Sequence, residues 1–64
     1  MAYVNIRLTW YHERPHETYS RHFQEICSVT MIEETKQRLI ARAENEGITI
    51  PYNEIHINPV EDLL

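Results

Sequence analysis

The sequence predicts a small α+β domain of two layers, in which two strands, a helix and a third strand follow one another as ββαβ. Three observations predict it. Residues 2–11 alternate between apolar and polar side chains almost without fault, residues 31–46 carry an apolar stripe at helical spacing, and Ile55-His56-Ile57 alternates again just before Pro59. With 64 residues there is room for a single domain, residues 1–64, and no repeat or linker divides it. A core of this size offsets the chain entropy only narrowly, so a second subunit or a partner is a common supplement.

In the first element Val4, Ile6, Leu8 and Trp10 share one side, while Tyr3, Asn5, Arg7, Thr9 and Tyr11 share the other. That is the period of a strand with one buried face. Residues 12–17 are polar, contain Pro15 and read as a loop.

Residues 18–27 fit two descriptions. As a strand they place Tyr19, Phe23 and Cys27 on one face, which Arg21 and Glu25 share. As a helix they place Tyr19, Phe23, Ile26 and Cys27 on one stripe, giving the alternative order β-α-α-β with residues 16–27 helical. Thr18, Tyr19 and Ser20 are poor helix starters and no good N-cap precedes them, which favours a strand paired back on residues 2–11 and broken by a bulge.

Thr30-Met31-Ile32-Glu33 matches a capping box, so the helix is expected to start with Thr30 as N-cap and Glu33 reaching back to it. Glu33 and Glu34 suit the positive end of the helix dipole, and Glu34 can pair with Arg38 one turn on. Ile32, Leu39 and Ala43 belong to the stripe that must face the strands. Gly47, the only glycine, follows the last turn and supplies a left-handed C′ position. A short strand is expected at 54–58, and residues 59–64 read as a flexible tail.

The helix segment Ile32-Glu33-Glu34-Thr35-Lys36-Gln37-Arg38-Leu39, then Glu46-Gly47-Ile48 with Pro51 soon after, resembles the ubiquitin-like β-grasp family. An alternating N-terminal strand stands ahead of it, as that family requires. The resemblance implies a β-grasp-like sheet packed on one helix and a habit of binding proteins through the sheet. The later strands of the family are missing, and the chain closes on Leu63-Leu64 without the paired glycines used for conjugation.

The formal charge is −4, and the acids of residues 29–64 are interspersed with Lys36, Arg38 and Arg42, which reads as a solvated helix face rather than a mimic of nucleic acid. Cys27 is the only cysteine, so no disulfide can form within one chain, and a reducing, cytoplasmic setting is expected. No stretch approaches a signal peptide or the roughly 18 apolar residues of a membrane span.

His12-Glu13-Arg14-Pro15-His16 matches H-E-x-x-H, the zinc-protease pattern that needs a helix to set both histidines on one side. Pro15 inside the motif costs a helix about 3 kcal/mol, and no third ligand follows at a convincing spacing. Cys27 near His22 lacks a cleft and an oxyanion site, and reads as a small core residue. We therefore expect no catalytic residue, metal, cofactor or small-molecule substrate.

The outward face of the first strand carries Tyr3, Arg7 and Tyr11, and Arg21 is expected near it from the second strand. Tyrosine and arginine are enriched at protein interfaces and their hot spots. They also stack bases and hold phosphates in single-strand-binding sheets, but the acidic balance and the absence of a lysine cluster count against nucleic acid. The sequence thus predicts a non-catalytic interaction module that binds a protein partner or itself as a homodimer through this face. Adaptors, regulators and inhibitors fit, including those phages make to disable host enzymes. The alternative is a single-stranded nucleic-acid binder using the same face.

Overall fold

In the computed structural model, which describes residues 2–14 and 17–60 with backbone alone at 12–14 and 17–18, strands β1 (Tyr3–Arg14) and β2 (Glu17–Ser28) form an antiparallel hairpin. A 3-10 turn at Val29–Met31 leads into helix α1 (Ile32–Asn45), and strand β3 (Glu54–Pro59) follows. The sheet order is β2-β1-β3, with β1 central and antiparallel to both neighbours. Strands β2 and β3 therefore run the same way on either side of β1, and α1 makes the crossover between them. This is the ββαβ arrangement expected from the sequence.

Residues 17–27 are strand, so the helical alternative given for 16–27 is overturned over all of that range within the described residues. The reason is pairing. Val4 lies opposite Cys27 and Leu8 opposite Phe23, so the strand form supplies partners to a face of β1 that otherwise stays bare. The register runs unbroken from the Tyr3–Ser28 pair to the Arg14–Glu17 pair, and no bulge interrupts it. The expected loop at 12–17 is overturned at His12, Glu13, Arg14 and Glu17, which have strand backbone, while Pro15 and His16 lie outside the described residues.

The core joins Val4, Ile6, Leu8 and Trp10 of β1 to Phe23 and Cys27 of β2 and to Leu39 and Ala43 of α1, with Ile32, Ile40, Ile48 and Tyr52 packed around it. Trp10 organises the upper end. Its ring meets Phe23 and Tyr52 edge-on at centroid distances of 5.6 and 6.2 Å, and its indole Nε1–H donates to the Ile50 carbonyl at 2.8 Å. The polar handle of the indole is thus satisfied where the ring is buried.

The helix ends as expected and starts otherwise. Gly47 has φ 89°, Ile48 N–H donates to Ala43 O at 3.0 Å and Gly47 N–H to Glu44 O at 2.9 Å, which is a Schellman closure. At the start no capping box forms. Ser28 Oγ accepts from Thr30 N–H at 3.3 Å and caps the 3-10 turn, and α1 then opens at Ile32 with Met31 at its N-cap and no side-chain cap. Glu33 lies 3.7 Å from Lys36 instead, and Arg38 turns to Glu25 on β2 rather than to Glu34.

Strand β3 covers β1 only from Val4 to Thr9. Asn53 ties its start, donating its N–H to Thr9 O at 2.9 Å and accepting from Tyr11 N–H through Oδ1 at 2.8 Å. Beyond Pro59, Val60 N–H donates to Tyr3 O at 3.0 Å; the remainder of the expected tail, 61–64, lies outside the described residues.

Candidate interaction surface

A helix that packs on one side of a sheet leaves the other side open. Parity along each strand then decides what is shown. On β1 the odd residues Tyr3, Asn5, Arg7, Thr9 and Tyr11 face away from α1, since Val4, Ile6, Leu8 and Trp10 face it. The register adds Gln24 and His56 on either side of Arg7, Ile26 and Asn58 beside Asn5, and His22 and Glu54 beside Thr9.

Tyr3 and Tyr11 are 37 and 38 % exposed, Arg7 is exposed, and Ile26 is 51 % exposed. Residues four apart on a strand are separated by roughly 13 Å, so Tyr3, Arg7 and Tyr11 define a stripe about 27 Å long. Polar pairs tie the face together across strands. Asn5 donates to Gln24 at 3.3 Å, and Thr9 Oγ1 lies 3.2 Å from His22 Nδ1. Thr9 is buried although no helix covers it, because the neighbouring strands flank it.

Next to Arg7, His56 Nε2 lies 3.0 Å from Glu54 Oε1. That hydrogen bond from His56 holds the Glu54 carboxyl below the ordinary glutamate value, with smaller help from the Tyr11 hydroxyl and the Arg7 charge. The face therefore mixes aromatic rings, the aliphatic Ile26 and a small polar cluster.

The structure brings Tyr3, Arg7 and Tyr11 together on this face and does not bring Arg21 to it. Arg21 lies opposite Trp10, on the α1 side, where its guanidinium pairs with Glu46 and sits 5.3 Å from the Phe23 ring centroid. Its odd number places it with Phe23, so strand parity alone carries the signal. Glu25 shares that side and takes Arg38 and, at 3.2 Å, Arg42 from α1. These ion pairs fasten the helix to β2. Ile26, Glu54 and His56 were not singled out from sequence; finding them requires the register as well as the period.

The zinc pattern at residues 12–16 finds no helix, since the backbone from His12 to Arg14 is strand. Among the described residues no group of three His, Cys, Asp or Glu side chains converges as a metal site. Cys27 is a free thiol buried in the core. Among the same residues no helix is long and apolar enough to cross a membrane. Compared with protein-family models, characterised proteins and solved structures, the chain finds no match.

Proposed function

We propose that this domain is a non-catalytic protein-interaction module that docks a protein target on the open sheet face through Tyr3, Arg7 and Tyr11. The observation that carries the reading is the stripe itself. Two partly exposed tyrosines, an exposed arginine and Ile26 stand on the side of a three-stranded sheet that faces away from the helix and core. A rigid platform with aromatic and arginine anchors loses little side-chain entropy on binding. The same habit is implied by the β-grasp resemblance. A single thiol suits a reducing, cytoplasmic setting, and the class includes regulators and inhibitors of phage origin.

Charge placement favours protein over nucleic acid. Arg7 is accompanied on this face by Glu54, while Arg21, Arg38 and Arg42 are paired with Glu46 and Glu25 on the other side. A single-strand binder needs a groove of unmatched positive charge beside its stacking rings.

The test is the combined variant Tyr3→Thr, Arg7→Gln, Tyr11→Thr. Its circular dichroism spectrum stays that of the parent. The parent retains a protein from a nuclease-treated extract at moderate salt and the variant does not. Equal retention by both overturns the reading, and a salt-sensitive gel shift with single-stranded nucleic acid, lost in the variant, replaces it with the nucleic-acid one.

A further inference from the structure

The helix does not cover the whole inner side of the sheet. The ion pairs to Glu25 and Arg21 draw the Arg38, Arg42 and Glu46 flank of α1 over β2. On β3 the residues that share the helix side with Ile6 and Leu8 are Ile57 and Ile55, and they remain 44 and 37 % exposed. Bare isoleucines on an edge strand are unusual, because such an edge is a template for another strand.

The hydrogen bond from Val60 N–H to Tyr3 O fixes which backbone groups β3 has left over. It makes Tyr3 and Val60 a hydrogen-bonded pair, so the alternating pattern points Glu54, His56 and Asn58 at β1. The N–H and C=O of Ile55 and Ile57 then point to the free edge, as does the nitrogen of Pro59, where no N–H is lost from the ladder.

We propose that the β3 edge pairs antiparallel with the β3 edge of a second copy, about a two-fold axis through His56, with Ile55 of each copy opposite Ile57 of the other. The two ends of the strand select this register. A shift that centres on Ile57 sets Pro59 opposite Ile55 and loses the N–H that Pro59 lacks. A shift that centres on Ile55 needs Asn53, whose N–H is already given to Thr9 O. The register through His56 uses Ile55 and Ile57 alone, and each pair exchanges both of its N–H···O=C bonds.

Side chains agree on both sides of the joined sheet. On the helix side the isoleucines of the two copies meet as cross-strand pairs and cover one another. On the open side the Glu54 carboxylate faces the Asn58 amide of the second copy, and lies diagonal to its His56. An amide donor and an imidazole thus approach each carboxylate. The β2 edge offers no such match, since its inward positions Arg21 and Glu25 are charged and already held, Arg21 by Glu46 and Glu25 by Arg38 and Arg42 of α1. A contact built on the six residues of β3 is well short of the roughly 20–30 residues a side of a standard interface, so the dimer is reversible and concentration-dependent.

This surface is separate from the Tyr3–Arg7–Tyr11 stripe, which the two-fold leaves open and doubles. Sedimentation of the full chain across a concentration series shows a monomer–dimer equilibrium, and Ile57→Lys shifts it to monomer. The register has its own test, valid whatever Ile57→Lys does to folding. Paired residues of this kind lie about 4.5 Å apart at Cα, within disulfide reach, so His56→Cys cross-links to itself under mild oxidation while Asn58→Cys does not. The triple variant of the open face dimerises like the parent. A chain that is monomeric at every concentration overturns the proposal. So does equal cross-linking of the two cysteine variants, or a dimer abolished by the triple variant, which moves self-association to the open face.

Discussion

Leu39 and Gly47 hold the helix in place by different physics, and their substitution separates the two. Leu39 is fully buried between α1 and β1, so Leu39→Ala leaves a cavity and should cost about 2–5 kcal/mol. In a domain this small that is a large part of the total stability, and the melting temperature should fall by at least roughly 8 °C. An unchanged melt would mean that another helix face carries the core. Around Gly47 a Cβ meets open space, yet φ is +89°. Gly47→Ala should therefore cost about 1–2 kcal/mol for backbone conformation alone, and Gly47→Asn less, as measured by urea unfolding. At Glu54 the charge state is the readout. The His56 hydrogen bond depresses its carboxyl, so the folded form binds that proton less readily than the unfolded chain. The resulting contribution is present above the unfolded glutamate value and fades as pH falls through the folded one. An NMR titration should place the Glu54 midpoint below that of an ordinary glutamate, and His56→Ala should move it back up.

At the scale of elements, what could be read from sequence follows how local the cause is. The strand around Val4–Trp10 is legible because its period is unbroken, and the C-terminus of α1 is legible because only Gly47 can take the turn. The capping box fails because Ser28, two residues before it, claims Thr30 N–H and winds a 3-10 turn first. The state of residues 18–27 could not be fixed locally, since both periods fit and only pairing with β1 decides between them. Arg21 follows from that decision: once the segment is a strand, it must stand with Phe23 and not with Tyr3. The ion pairs along the α1–β2 seam are likewise set by tertiary placement. Glu25 is the shared partner of Arg38 and Arg42 and is itself only one-quarter exposed. Glu25→Ala should destabilise by about 1 kcal/mol at low salt and by less at high salt, where exposed guanidinium charges are screened. Urea unfolding at two salt concentrations checks this, and a salt-independent loss would assign the effect to packing.

Across the whole molecule, length mismatch between elements governs where stability resides. The structure measures 45 × 20 × 15 Å. Twelve-residue strands reach roughly 40 Å, whereas a fourteen-residue helix spans roughly 21 Å and the six residues of β3 about 20 Å. The helix and β3 thus brace only the half of the hairpin that contains Val4–Thr9 and its partners. Past the Trp10–Arg21 pair the described residues of the hairpin, Tyr11–Arg14 and Glu17–Ser20, pair as strands only with each other. Two strands alone are marginal in water, while strands packed on a helix share the stability of the core. All odd residues of β2 direct their amides to β1, because Val29 N–H donates to Ala2 O at the end of the same ladder. Amides of equal bonding can therefore be compared along one strand. Hydrogen exchange should find Phe23, Glu25 and Cys27 protected up to the global unfolding free energy, with Tyr19 exchanging through local opening at least tenfold faster, a difference of roughly 1.4 kcal/mol. Leu39→Ala should lower protection at Phe23, Glu25 and Cys27 and barely move Tyr19, because only the former depend on the core that Leu39 fills. Equal protection along β2, falling together in Leu39→Ala, would show that the ribbon and the braced half unfold as one unit.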